Sequence, residues 1–140
     1  MSAAVARRYF VRGREHLRRG ALDDAQRELE AALQLSPDFV AARVGYALTL
    51  SRTDPPRASQ SLRTGLARAR RPADRRALLC ALGDVLLSSG DFPAAEQAYA
   101  EAAALPGATL RLHDRLARLR AHAGRFPDAL AELLLAARGG

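Results

Sequence analysis

A glycine turn recurs along this chain of 140 residues and constrains its fold more than any other feature. Gly20, Gly90 and Gly124 each end a stretch with helical apolar spacing, and an Asp or Pro within three residues opens the next stretch. Gly90 and Gly124 lie 34 residues apart, while Gly20 and Gly90 lie 70 apart, close to two such periods. The spacing therefore predicts four consecutive helix hairpins.

The apolar periodicity predicts eight helices. They cover about 4–19, 22–35, 38–52, 56–70, 74–89, 92–105, 109–123 and 126–138. The second hairpin has Asp54-Pro55-Pro56 at its turn in place of a glycine. Proline is tolerated in the first turn of a helix, so these prolines are predicted to begin the second helix of this hairpin. Acidic residues near helix starts should cap the helices or complement their dipoles: Asp23, Asp24, Asp38, Asp74, Asp91 and Asp128. The predicted fold class is all-α, a right-handed α-solenoid of four antiparallel helix hairpins.

Small and large residues occupy fixed places within each hairpin. The first hairpin has Tyr9, Gly13, Gly20, Ala25, Leu29, Ala32 and Pro37 at these places. The third has Leu82, Gly83, Gly90, Ala95, Tyr99 and Ala102, and the fourth has Leu116, Ala117, Gly124, Ala129, Leu133 and Ala136. The second fits through Tyr46, Ala47, Leu50, Ala58, Leu62 and Gly65, with a turn one residue shorter. The pattern resembles that of the tetratricopeptide repeat family over about residues 4–138.

The resemblance implies one domain over residues 1–140, with repeats at about 6–39, 40–75, 76–109 and 110–138. Ala25, Ala95 and Ala129 are then expected at tight helix crossings, where a small side chain lets two backbones approach closely.

The resemblance also implies a binding surface, because the first helices of this family line a concave groove that holds part of a partner protein. The matching places are Arg7, Phe10, Arg14, Leu17, Arg18, Val44, Leu48, Arg52, Asp84, Leu87, Arg111 and Arg118. Arginines flank apolar residues there, so an acidic and apolar segment is the expected ligand. The first hypothesis is a non-enzymatic, cytoplasmic adaptor or chaperone-like scaffold. The lysines and asparagines of the family's chaperone-tail clamp are missing from their places, so that particular ligand is not implied.

Self-assembly is the second hypothesis, and it depends on the last helix. In this family an extra helix usually covers the final repeat, whereas this sequence ends directly after the fourth hairpin. The last helix carries leucines where earlier repeats have polar residues, and we expect some of them to be exposed in a monomer. The predicted interface, with a homodimer as its simplest form, consists of Leu130, Leu133, Leu134 and Leu135.

A nucleic-acid-binding repeat is the third hypothesis, because the formal net charge is +7. Much of the excess falls in one arginine cluster: Arg63, Arg68, Arg70, Arg71, Arg75 and Arg76. No aromatic residue interleaves the cluster to stack on a base, and arginines at a helix end complement the helix dipole. We therefore expect a solvated cluster and no nucleic-acid partner. Every basic residue apart from three histidines is arginine, and Lys, Asn and Ile are absent, which indicates a GC-rich, bacterial genome.

Enzyme, cofactor and metal chemistry are not indicated. The three histidines form no HExxH motif, and no glycine-rich phosphate loop occurs. The single cysteine, Cys80, lies in an apolar run and is interpreted as a small buried residue without a disulfide. The arginines near the start precede no apolar signal region, and no apolar stretch is long enough to span a membrane. The expected location is therefore the cytoplasm.

Overall fold

Residues 2–139, the part of the chain that the computed structural model describes, contain eight α-helices joined by short turns and no strand. They are α1 (Ser2–Arg18), α2 (Leu22–Leu35), α3 (Val40–Leu50), α4 (Pro55–Arg68), α5 (Pro72–Ser88), α6 (Phe92–Ala103), α7 (Leu110–His122) and α8 (Phe126–Gly139). The predicted all-α class and helix order are confirmed, and each predicted helix end lies within two residues of the observed one.

The turns form for the reasons that the sequence indicates. Gly20, Gly90 and Gly124 have φ angles of 77°, 84° and 82°, in the left-handed region that favours glycine. Asp54 caps α4, since its carboxylate accepts a hydrogen bond from the Arg57 amide at 3.2 Å. Asp91 caps α6 in the same way through the Ala94 amide, at 3.3 Å.

Asp38 behaves differently from the other acidic residues at helix starts. Helix α3 begins at Val40 with Phe39 as its N-cap, so Asp38 lies outside the helix and makes no cap. Its carboxylate instead accepts a hydrogen bond from Arg68 Nε at 2.6 Å, at the far end of α4. This ion pair lowers the pKa of Asp38.

The chain divides into two compact units, one ending at Ala69 and the other beginning at Arg70. In the first unit α1 packs on α2, α2 on α3, and α3 on α4. In the second unit α5 packs on α6, α6 on α7, and α7 on α8. The predicted crossing residues Ala25, Ala95 and Ala129 are all buried.

Glycines in the first helices make room for large side chains of the second helices. The Tyr99 side chain is fully buried, and a methyl group added at Gly83 would lie 2.7 Å from its Cδ1 atom. Leu29 is also fully buried and fills the corresponding space beside Gly13. A methyl group at Gly45 of α3 would lie 3.4 Å from Leu29 Cδ1, an ordinary contact.

Gly83→Ala should therefore destabilise the second unit by about 1–3 kcal/mol, because the added methyl group overlaps a buried ring. Gly45→Ala is the matched control, also in the middle of a helix. It should be neutral or raise the free energy of unfolding by up to about 1 kcal/mol, since alanine favours helix more than glycine does. Chemical denaturation measures both. Equal effects would contradict the packing of Tyr99 against Gly83.

Candidate binding surfaces

An aromatic pair lies at the centre of the predicted groove surface in the first unit. The rings of Phe10 on α1 and Phe39, the N-cap of α3, have centroids 5.0 Å apart and are tilted by 49°. The Arg14 guanidinium lies 5.3 Å from the centroid of Phe10. Arg7 lines a cleft of about 400 Å³ together with Phe39 and Ser36. The structure thus brings three predicted residues, Arg7, Phe10 and Arg14, around an unpredicted one, Phe39.

This surface carries positive charge without local compensation. Among residues 2–139, no carboxylate forms an ion pair with Arg7 or Arg14. Arg18 is different, because its Nη1 lies 3.4 Å from Glu15 on the same helix. Of the other predicted residues here, Leu17 and Val44 are half-buried, while Leu48 and Arg52 are exposed.

Arg43 is a structural residue that the sequence reasoning missed. It is buried on α3 and donates hydrogen bonds to the Pro37 carbonyl at 2.9 Å and the Ser61 carbonyl at 3.1 Å. It therefore ties α3 to α4 and to the turn before α3. Its place in the second repeat corresponds to that of Tyr9 in the first, a position where the family favours a large aromatic side chain. The occurrence of arginine at a place that usually holds a buried aromatic residue could have indicated that Arg43 is buried.

In the second unit two of the predicted surface residues, Asp84 and Arg118, have partners on the same or a neighbouring helix. Asp84 Oδ1 accepts hydrogen bonds from Tyr99 Oη at 2.5 Å and from Arg115 Nη1 at 2.8 Å. Burial and the Asp84 carboxylate raise the pKa of Tyr99. Arg118 pairs with Asp114 at 2.9 Å, one turn away on α7. Leu87 is half-buried and Arg111 is exposed. Asp84 and Arg118 therefore already have hydrogen-bonding partners within the second unit, which leaves them less available to a ligand.

Cys80 lies on the same face as Asp84, one turn earlier on α5, and is half-buried. Burial and the nearby Asp84 carboxylate raise the pKa of the Cys80 thiol. Because the thiolate is the reactive form, the thiol of the folded protein is a poor nucleophile near neutral pH.

Iodoacetamide at pH 8 should alkylate Cys80 more slowly in the folded protein than in urea-unfolded chain. Both the raised pKa and the restricted access act in this direction, and the rate should rise with pH as more thiolate forms. Mass spectrometry of quenched samples follows the reaction. A folded-state rate equal to or above the unfolded rate would contradict the assigned environment.

The third surface lies on α8, where all four predicted leucines are exposed. The exposed fractions are 58% for Leu130, 43% for Leu133, 55% for Leu134 and 54% for Leu135. Ala129, Glu132 and Ala136 form the buried face of the same helix. Leu133 is exposed, whereas Leu29 and Tyr99, which occupy the same repeat place in other hairpins, are fully buried.

A charged network fixes the orientation of α8. The buried Glu132 lies 2.7 Å from His113 Nδ1 and accepts a hydrogen bond from Arg120 Nη1 at 3.0 Å, both on α7. Arg120 Nε also donates to Glu96 of α6 at 3.2 Å, and Arg125 pairs with the same Glu96. One arginine thus bridges carboxylates from two helices, α6 and α8.

Arg120→Gln should destabilise the protein by about 2–4 kcal/mol, because it leaves two largely buried carboxylates without their shared cation. Arg118→Gln is the matched control on the same helix, with its side chain 81% exposed against 20% for Arg120. The control should change stability by no more than about 0.5 kcal/mol. Thermal and chemical unfolding of both variants would show the difference, and equal losses would contradict the network.

The predicted arginine cluster contains residues with structural partners. Within the first unit Arg68 pairs with Asp38. Within the second, Arg76 donates a hydrogen bond to the Pro106 carbonyl and lies beside Gly107. Arg63, Arg70 and Arg71 are exposed. Arg68 and Arg76 therefore stabilise the ends of hairpins.

Residues 2–139 contain neither a cluster of metal ligands nor a helix that could cross a membrane. No group of three His, Cys, Asp or Glu side chains in this part of the chain could hold a metal ion. Each helix described there is too short or too polar to cross a lipid bilayer.

Comparisons with known proteins agree with the helical-repeat architecture. The sequence pattern described as tetratricopeptide repeat matches residues 10–53, 50–109 and 80–140. The structure resembles MamA from Desulfovibrio magneticus RS-1, residues 41 to the end, with a TM-score of 0.73, 19% identity, and 96% of this chain and 76% of that chain covered. A second MamA crystal structure has a TM-score of 0.70 at 19% identity, covering 96% of this chain and 74% of that one. At these identities the likeness shows the fold alone. No curated protein matches the sequence.

Proposed function

Since the chain belongs to the tetratricopeptide repeat family, we propose that it is a non-enzymatic cytoplasmic scaffold that holds a segment of a partner protein. The observation that carries the proposal is the surface around Phe10, Phe39 and Arg14 in the first unit. Half-buried aromatic rings lie beside Arg7 and Arg14, which have no ion-pair partner among residues 2–139, and this combination suits a ligand that supplies apolar side chains and carboxylates.

The proposed ligand is an extended or helical segment with acidic and apolar residues. In the first unit it would contact Arg7, Phe10, Arg14, Leu17, Arg18, Val44, Leu48 and Arg52. The corresponding predicted residues of the second unit are Asp84, Leu87, Arg111 and Arg118, and of these Asp84 and Arg118 already have partners within that unit. Charge complementarity should mainly raise the association rate, while apolar contacts should slow dissociation.

Self-assembly through α8 is a second candidate function. The exposure of Leu130, Leu133, Leu134 and Leu135 favours it, because contiguous exposed apolar residues mark contact surfaces. The two candidate functions depend on different residues and can be tested independently.

Selection from a random peptide display library tests the scaffold proposal. Peptides that bind the wild-type protein should be enriched in acidic and apolar residues. Arg14→Glu with Arg18→Glu should weaken their binding by about 10-fold or more, mostly through a slower association rate, because two attractive charges become repulsive. Surface plasmon resonance at two salt concentrations would measure both rates.

The matched control is Arg57→Glu with Arg63→Glu, which changes the net charge equally at exposed positions of α4. It should leave peptide affinity nearly unchanged at physiological salt. Equal losses in the two double variants would indicate a non-specific charge effect. Enrichment of basic or neutral peptides, or unchanged affinity after the change at Arg14 and Arg18, would contradict the proposed surface.

A further inference from the structure

A small cleft opens between the start of α1 and the turn before α3. It has a volume of about 400 Å³ and is lined by Ala3, Ala4, Arg7, Ser36 and Phe39. Three of these side chains are small, which leaves the space beside the Phe39 ring open. Phe39 also connects the cleft to the proposed binding surface, because its ring centroid lies 5.0 Å from that of Phe10. The volume is at the lower end of the range for ligand sites, about 300–1,000 Å³, and suits one large side chain.

The charge around this cleft is positive. Arg7 lines the cleft, and among residues 2–139 no carboxylate pairs with Arg7 or with Arg14. The carboxylates on α1, in the turn before α3 and opposite α1 on α2 have cations of their own: Glu15 has Arg18 and Arg19, Asp38 has Arg68, and Glu28 has Arg12 at 3.8 Å. A segment that enters the cleft therefore gains most from carboxylates beside its apolar side chain.

The groups that line the cleft favour an aromatic side chain with a polar tip. Phe39 supplies a ring for an aromatic pair, and the Arg7 guanidinium is a cation of the kind that ring faces attract. The Ser36 hydroxyl forms no hydrogen bond within residues 2–139, so it is free to pair with an indole N–H or a phenol O–H. An aliphatic side chain would leave both the hydroxyl and the cation unused.

The distance from the cleft to Arg14 sets the spacing of the ligand's acidic residue. The Arg14 guanidinium lies 5.3 Å from the Phe10 centroid, which in turn lies 5.0 Å from that of Phe39. An extended chain advances about 3.3 Å per residue, so three residues span the two distances together. A carboxylate within three positions of the aromatic residue therefore reaches Arg14.

We infer that this cleft is an anchor subsite for one tryptophan or tyrosine of the partner segment, with an aspartate or glutamate within three positions of it bound by Arg14. The inference rests on the proposed scaffold function and names the side chain that fixes the segment on the surface. Buried tryptophan and tyrosine side chains are the residue types that most often dominate binding at such pockets.

A double-mutant cycle between protein and peptide tests the anchor subsite on the full chain. The probes are the tightest-binding peptide from the display selection and a copy with alanine in place of its aromatic residue. For the wild type, the alanine copy should have a dissociation constant about 10- to 100-fold higher. Isothermal titration calorimetry measures each dissociation constant.

Ala3→Leu places a larger side chain in the cleft and should remove this discrimination. The variant should bind the original peptide about 10-fold or more weakly, and the alanine copy should then differ from the original by less than about 3-fold. Ser36→Ala, which removes only the hydroxyl, should weaken the original peptide by about 3- to 10-fold.

Ala67→Leu is the matched control, because it adds the same side chain at an exposed position of α4. It should leave both dissociation constants unchanged. Circular dichroism should show the same helix content for Ala3→Leu and for the control, since Ala3 is also exposed.

The outcomes separate the anchor subsite from the scaffold proposal. Peptide binding that Arg14→Glu with Arg18→Glu weakens, but that Ala3→Leu and Ser36→Ala leave unchanged, overturns the anchor subsite and leaves the scaffold standing. Selected peptides without an aromatic residue, or an equal loss for both peptides in Ala3→Leu, have the same meaning. A selection that yields no binding peptide, or peptides that none of these changes affects, contradicts both.

Discussion

A helical hairpin cannot bury both faces of its second helix by itself, and this constraint shapes the whole protein. Each second helix packs one face on its own first helix and needs a further surface to cover the other. Leu29 shows the solution in the first unit, because it lies against both Gly13 of α1 and Gly45 of α3. Tyr99 shows it in the second, filling the space beside Gly83 while Arg115 of α7 lies near its ring. Among the second helices of residues 2–139, α8 alone leaves the corresponding residue, Leu133, exposed.

The repeat spacing was enough to predict the helices, because it depends on local rules. A glycine with positive φ ends a helix, proline or aspartate begins the next, and the helical apolar period fills the interval. The prediction that Asp38 caps or begins a helix was wrong, because its carboxylate pairs with Arg68, which is 30 residues away in the sequence. Long-range polar pairing of this kind leaves no periodic trace in a single sequence.

The sequence predicted some residues of the candidate surfaces but not their partners, because those partners are also distant in the sequence. Family places identified Phe10 and Arg14 but not Phe39, whose ring meets Phe10 from the start of the next hairpin. The family places also include Asp84 among the groove residues, although its carboxylate already accepts hydrogen bonds from Tyr99 and Arg115. Which charges remain available to a ligand depends on packing. Among residues 2–139 no carboxylate pairs with Arg7 or Arg14 of the first unit, whereas Asp84 and Arg118 of the second unit both form ion pairs.

The central claim is that a partner segment binds the first-helix surface around Phe10, Phe39 and Arg14. A two-dimensional amide NMR titration of the isotope-labelled protein with a selected acidic and apolar peptide tests it most directly. The account predicts that the largest saturable shifts fall on α1 and the start of α3, with small changes on α6 and α8. Shifts concentrated on α6 or α8, with α1 and α3 unaffected, would contradict it.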